Sequence, residues 1–271
     1  FVDMDSAKFG DYAGSGPMRW VHRREASKLL DFERETAARA DASLFVSNAE
    51  ADLFRKRSGV AEADIRAVGN GIDLDFYDPA ADFARLDGSY HPLIVFTGQM
   101  DYRPNVQAVT DFADQCLPPL LAERPDLCFA IVGRAPTPAV MRLADRPGVI
   151  VTGSVPDVRT WLRAADLVVA PLRIARGIQN KVLEAMAMAR PVVASAAAFQ
   201  GIDARAGRDL IVADNAGEQV GAILSLLSNP KSAMAMGAAA RRQMVSRYRW
   251  DAALKPLTEL LATDTDRQVA A

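Results

Sequence analysis

A parallel β-sheet with helices on both faces is the fold class that the sequence predicts, and three observations predict it. From Pro92 onward, short apolar runs alternate with stretches of helical periodicity. The runs are continuously apolar, as strands buried on both faces must be. Glycines stand directly after three of them, at Gly98, Gly133 and Gly153. That is where an open parallel sheet presents its ligand crevice.

In chain order, Phe1 to Met4 reads as a short strand ending in Asp5-Ser6, and Tyr12 to Pro17 as a glycine-rich loop. Arg19 to Arg39 spaces Trp20, Val21, Leu29, Leu30, Phe32 and Ala37 among charges, as one long amphipathic helix does. Its cluster Arg19, His22, Arg23, Arg24 reads first as a solvated face. A surface for an anionic ligand or a membrane headgroup is the alternative. Ser43 to Val46 is the second strand. Ser47-Asn48-Ala49-Glu50 is then a capping box, opening a helix to about Arg57, which explains Glu50 without chemistry. Ile65 to Val68 is the third strand, Asn70-Gly71 a turn, and Tyr77 to Tyr90 a polar, irregular boundary.

Beyond the boundary the expected strands are Leu93–Phe96, Cys128–Val132, Val149–Thr152, Leu167–Ala170, Val192–Ala194 and Leu210–Val212. Helices are expected over Asn105–Leu121, Thr137–Ala144, Val158–Ala165, Lys181–Ala189, a short segment near Asp203, Gly217–Leu227 and Lys231–Arg247. A last helix runs over about Trp250 to Leu261. The domain division is residues 1–76, 77–249 and a closing 250–271 helix. The start at Phe1 reads as a strand already in progress, so the first domain is expected to be partial and the chain a piece of a longer protein.

With 271 residues, half of them hydrophobic, the chain can bury a substantial core. A net charge of -2 with mixed signs argues against a dedicated nucleic-acid binder. Cys116 and Cys128 lack metal-ligand spacing and read as buried thiols of a reducing cytosol, so no zinc or other metal site is expected. No apolar run is long enough to span a membrane, and no signal peptide opens the chain.

The stretch GIQNKVLEAMAMARPVVAS, Gly177 to Ser195, carries the strongest functional signal. It reads as a tight glycine loop, a short helix, a stop at Pro191 and a buried strand. The amides and positive dipole end of such a helix form an anion site. Lys181 puts a cation in the first turn, where the dipole disfavours one, and so points to an anionic ligand. Glu184, one turn further, can turn back over the same mouth and accept two sugar hydroxyls. Phosphate and diol together describe a nucleotide. The plainer alternative is a solvated helix with a Lys181–Glu184 surface pair.

Taken in order, FTGQMDYRPNVQA, FAIVGRAP, GVIVTGSVPDVRTWLRAADLVVAPLR, the Gly177 stretch and the closing Tyr248-Arg249-Trp250 resemble the C-terminal half of a retaining GT-B glycosyltransferase of family 4 type. The opening FVDMDSAKFGDYA and the arginine-rich helix resemble a narrower group, the sugar transferases of exosortase (PEP-CTERM) exopolysaccharide clusters. The resemblance implies a partial acceptor-side domain, a complete Rossmann-like nucleotide-sugar domain and a last helix crossing back to the first. It implies that Glu184 binds the ribose, that Gly177, Ile178 and Gln179 hold the donor phosphates, with Asn180 and Lys181 beside them, and that Gly98 lies by the diphosphate. Gly153, Ser154 and Val155 meet the base. Two positions depart from the family pattern. Arg176 stands where a glutamate ordinarily contacts the donor sugar. The arginine-and-lysine pair after the first strand is replaced by Gln99, Asp101 and Arg103, leaving Arg103 and Lys181 as the cations.

The implied activity is transfer of a sugar from a nucleotide-sugar donor to a glycan or lipid-linked acceptor, with no cofactor, in exopolysaccharide or other surface glycan synthesis. The implied place is the cytoplasm, peripheral to the inner face of the membrane. Catalytic residues are not identified, and self-association through the partial domain is expected. The alternatives are a GT-B epimerase or phosphorylase, and a non-catalytic nucleotide-sugar-binding module.

Overall fold

The structure, a computed structural model, describes residues 4–13, 18–59, 65–84, 86, 90–175 and 177–269. The chain separates into two compact units: Phe1–Gly71 with Arg176–Ile178 and Trp250–Ala271, and Ile72–Ala175 with Gln179–Arg249.

The smaller unit contains two parallel strands, β1 (Ser43–Phe45) and β2 (Ile65–Ala67). The expected strand at Phe1 falls mostly outside the described residues. Asp5–Tyr12, read from sequence as strand end and loop, is a helix. Its amino end is held by two buried carboxylates. Glu33 accepts from the Ser6 amide (3.0 Å) and hydroxyl (2.6 Å), and Glu50 accepts from the Met4 amide at 2.9 Å. Glu33 sits on the helix Arg19–Arg39, which has the bounds expected of it. Ser47 caps the helix Asn48–Ser58 by accepting from the Glu50 amide. The Glu50 amide thus serves its own helix, while its side chain serves a distant segment. Met4, Ala7, Phe45, Phe54 and Ile65 form the apolar centre of this unit.

The larger unit is a six-stranded, wholly parallel sheet. Its strands are β3 (Leu93–Thr97), β4 (Cys128–Val132), β5 (Val149–Gly153), β6 (Leu167–Ala170), β7 (Val192–Ala194) and β8 (Ile211–Val212), in the order β5-β4-β3-β6-β7-β8. The order reverses direction between β3 and β6, and such a switch point opens a crevice at the carboxyl ends of the strands. Every residue of β3 and β6 is buried, which is why these runs carry no polar alternation.

Four helical expectations change. Thr137–Ala144 is a short helix, Pro138–Met141, followed by a 3-10 turn, Arg142–Asp145. Asn105–Leu121 is two helices, Arg103–Gln115 and Leu117–Glu123. Pro118 and Pro119 lack the amide and clash with the preceding turn, so a continuous helix cannot pass them. The helix expected near Asp203 is instead Ala196–Phe199, capped by the Ser195 hydroxyl. Asp203 lies in a turn, where its amide donates to the Tyr248 hydroxyl at 2.6 Å. The last helix is broken into Trp250–Ala253 and Lys255–Val269, with Pro256 fitting the first turn of the second piece. Cys116 is buried, but Cys128 is only partly so.

Candidate functional site

Two loops meet backbone to backbone at the carboxyl ends of β3 and β4. Gly98 donates to the Val132 carbonyl at 3.0 Å, and Met100 to the Arg134 carbonyl at 2.8 Å. A Cβ on Gly133 would overlap the carbonyl oxygen of Gly98, so only glycine permits this approach. A Cβ on Gly98 would lie 2.8 Å from Asn105 Nδ2 and 3.0 Å from Lys181 Nζ. The bare backbone of Gly98 leaves room for those two groups.

Lys181 and Glu184 occupy adjacent turns of the helix Asn180–Ala187, which packs Val182, Leu183, Ala185 and Met186 into the core. The helix ends because Arg190 precedes Pro191 and is biased away from helical backbone. Ala189 takes a left-handed φ of 54° there. The Lys181 ammonium donates to Asn105 Oδ1 at 2.5 Å and sits 4.2 Å from the centroid of the Phe96 ring. Asn105 is buried and is oriented in turn by its Nδ2, which donates to the Gln99 carbonyl at 2.9 Å. Arg134 donates to Gln99 Oε1 at 2.8 Å.

Burial pulls the Lys181 ammonium down to about 7, opposed by the Glu184 charge. Burial raises the Glu184 carboxyl, opposed by a hydrogen bond from Tyr77 and by Lys181. The desolvated cation and carboxylate share one recess of about 510 Å³. Its walls are the strand ends at Thr97–Gln99 and Val132–Arg134, the Ser154-Val155 turn, and the first two turns of the lysine helix, with Asn105 at the back. A second recess, of about 420 Å³, lies beside Phe83, Tyr90 and Thr160 and holds no comparable buried pair.

Of the residues singled out in the sequence, Gly98, Ser154, Val155, Gln179, Asn180, Lys181 and Glu184 line this recess. Gly153 stands at its edge, ending β5 with φ 66°. Gly177 and Ile178 group with the smaller unit, Gly177 with φ 62°. Arg103 is exposed at the start of its helix and is not among the lining residues. Arg176 lies outside the described residues.

Tyr77, Thr97, Asn105 and Arg134 escaped the sequence reading. Arg134 had a visible signal, since it directly follows the strand-end glycine of FAIVGRAP. The buried Thr97 hydroxyl has no hydrogen-bond partner among the described residues.

A parallel sheet with this order, its glycines at the strand ends and a Lys-Glu helix over the switch point, is the C-terminal sheet of a GT-B glycosyltransferase fold. Residues 91–229 match the family Glycosyl transferases group 1, and residues 11–76 match Glycosyltransferase Family 4. The chain belongs to the group 1 glycosyl transferases, a match that spans more than half of its length.

Among curated proteins it is 33% identical over 161 residues to a phosphatidyl-myo-inositol mannosyltransferase of Propionibacterium freudenreichii, covering 58% of this chain and 39% of that one. It is 29% identical over 245 residues to a GDP-mannose-dependent alpha-(1-6)-phosphatidylinositol monomannoside mannosyltransferase of Mycolicibacterium smegmatis, covering 82% and 62%. The chain therefore spans only part of these relatives. Among solved structures, a glycosyltransferase from Rickettsia africae superposes with TM-score 0.70 at 16% identity, covering 86% of this chain and 66% of that one. Anabaena HepE in complex with UDP and glucose superposes with TM-score 0.69 at 16% identity, covering 87% and 67%. At this identity both speak for the fold alone. Among the described residues, no helix is long and apolar enough to cross a membrane.

Proposed function

We propose that this chain binds a nucleotide-sugar donor and serves glycosyl transfer from it. The observation that carries this reading is the Lys181–Glu184 pair, desolvated together in the recess at the switch point of the sheet. The diphosphate would lie against Lys181 and the backbone of Gly98 and Gly133, with Arg134 at the rim. The ribose diol would bond to Glu184, and the base would meet main-chain groups at Ser154 and Val155. Cleavage between the sugar and the diphosphate builds negative charge on the leaving phosphate. A fixed ammonium and helix-end amides aimed at that charge lower the barrier. Lys181 would also fill the place left by the absent arginine-and-lysine pair, because its ammonium reaches Asn105 in the first turn of the helix that follows β3.

Arg176 is assigned by the family resemblance to the donor-sugar end, and the donor is taken up without a cofactor. The relatives' names speak of GDP-mannose and phosphatidylinositol lipids, and HepE was crystallised with UDP and glucose. These favour a UDP- or GDP-sugar donor and a lipid-linked acceptor, in exopolysaccharide or another surface glycan. Arg19, Arg23 and Arg24 beside the exposed Trp20 would suit a place at the inner face of the membrane.

The test is calorimetric titration of UDP and GDP into wild type and Glu184→Ala. Loss of the diol contact should weaken the better ligand about 10- to 100-fold, the equivalent of one charged hydrogen-bonding pair, with the thermal transition retained. Equal affinities would return Glu184 to an ordinary helix position.

A further inference from the structure

Lys181 does not hold its ammonium in place alone. Its side chain reaches across the switch point, from the helix after β6, Asn180–Ala187, to the helix after β3, Arg103–Gln115. There Asn105 Oδ1 accepts from the ammonium at 2.5 Å, and the centroid of the Phe96 ring, on β3, lies 4.2 Å away. Phe96 is fully buried and Asn105 is 6% exposed, so packing fixes both supports. The helix of Asn105 is itself anchored in the core by Ala108, Val109, Phe112 and Ala113. Asn105 Nδ2 donates to the Gln99 carbonyl at 2.9 Å. That bond fixes the orientation of the amide: its donor end is committed to Gln99, and its acceptor end is left for Lys181. The pair stands directly against Gly98, where an added Cβ would lie 2.8 Å from Asn105 Nδ2 and 3.0 Å from Lys181 Nζ.

We propose that Asn105 is a positioning residue for Lys181: its amide oxygen takes one N–H of the ammonium and holds the other two beside Gly98 for the diphosphate of a bound nucleotide. The proposal rests on the nucleotide reading above and adds to it the group that sets where its cation stands. A lysine side chain has four torsions, and fixing them at the moment of binding costs entropy. The Asn105 bond and the Phe96 ring remove that cost beforehand. Burial has stripped the ammonium of water, and the amide oxygen replaces one of the lost hydrogen bonds. The neutrality of this acceptor matters as well. A carboxylate in its place would hold the ammonium but offset its charge and repel the phosphates. An amide holds it and leaves the charge to the ligand. Asn105 thus acts on the ligand through Lys181, which separates it from a residue that only steadies the loop after β3 through Gln99.

Calorimetry with UDP and GDP on wild type, Asn105→Ala, Lys181→Met and the double variant tests this. Asn105→Ala should weaken the better ligand about 10-fold, the size of one hydrogen bond to a charged group. In the Lys181→Met background the same change should cost less than about 2-fold, because the two residues act as one unit. A loss of equal size in both backgrounds overturns the proposal, since Asn105 would then act through the loop and not through the ammonium. Unchanged affinity in Asn105→Ala, where Lys181→Met has weakened binding, overturns it too. Affinity untouched by Lys181→Met, or no binding of either diphosphate to wild type, overturns the nucleotide reading and the proposal with it. A second measurement needs no variant to fold. In proton–nitrogen spectra of the wild-type lysine ammonium groups, recorded below the value of about 7 to which burial brings Lys181, its signal should be resolved. It should also show a scalar coupling across the hydrogen bond to the side-chain carbonyl carbon of Asn105. A signal lost to exchange with water, or one without that coupling, overturns the proposal.

Discussion

At the scale of single residues, Lys181 is the group whose chemistry the fold alters most. An ammonium with its ordinary pKa would stay charged throughout the physiological range. Here burial brings it to about 7, so above that pH the unliganded site increasingly holds a neutral amine. A diphosphate restores the charged form, and binding then takes up a proton. Affinity for UDP or GDP should therefore fall as pH rises from about 7 to 9, and calorimetry in buffers of different ionisation heat should show proton uptake at the upper end. Lys181→Met should bind weakly at every pH, with no uptake. A wild-type affinity flat across that window would place the ammonium away from the phosphates. The same shift makes the empty fold more stable with rising pH between about 7 and 10.5, since the unfolded chain binds the extra proton there.

At the scale of elements, the site depends on how closely two strand ends approach. The loops after β3 and β4 share hydrogen bonds from Gly98 to Val132 and from Met100 to Arg134, and Gly133 has no room for a side chain. Gly133→Ala should destabilise the protein by about 2–3 kcal/mol, as overpacking against rigid backbone does. It should also splay the recess and weaken nucleotide binding. Gly153→Ala is the control, because open space surrounds that position and only its φ of 66° is strained. It should cost about 1 kcal/mol. Chemical denaturation of both variants measures the difference. Equal losses would show that the contact between the loops contributes nothing of its own.

At the scale of the whole molecule, the two units have unequal roles. The recess belongs to the unit of Ile72–Ala175 and Gln179–Arg249. Hydrogen exchange with saturating UDP or GDP should therefore slow amides at Gly98–Met100, Ser154-Val155 and Asn180–Glu184. The amides of β1 and β2 should be unaffected. A ligand present at about 100 times its dissociation constant adds about 2.7 kcal/mol to the state that binds it, enough to read as slower local opening. Protection confined to the smaller unit would move the nucleotide site out of the sheet.

Periodicity and punctuation alone determined the large sheet. β4, β6 and β7 have the bounds that their apolar runs predict, because a strand buried on both faces leaves no other composition. Ser47 and its capping box were equally legible, since a cap involves only neighbours in sequence. The short helix Asp5–Tyr12 was not. It is polar, contains Gly10, and owes its start to Glu33 and Glu50, which stand far along the chain. The site divides in the same way. Lys181 and Glu184 declared themselves because their spacing falls within one helix. The partner of Lys181 did not, since Asn105 reaches it only through strand order, with Gln99 and Arg134 following behind Asn105. Sequence thus set which residues could act on a nucleotide. Tertiary packing decided which of them lost water, and with it the shifted ionisation of Lys181 and Glu184, because desolvation depends on what surrounds a charge and not on its neighbours along the chain.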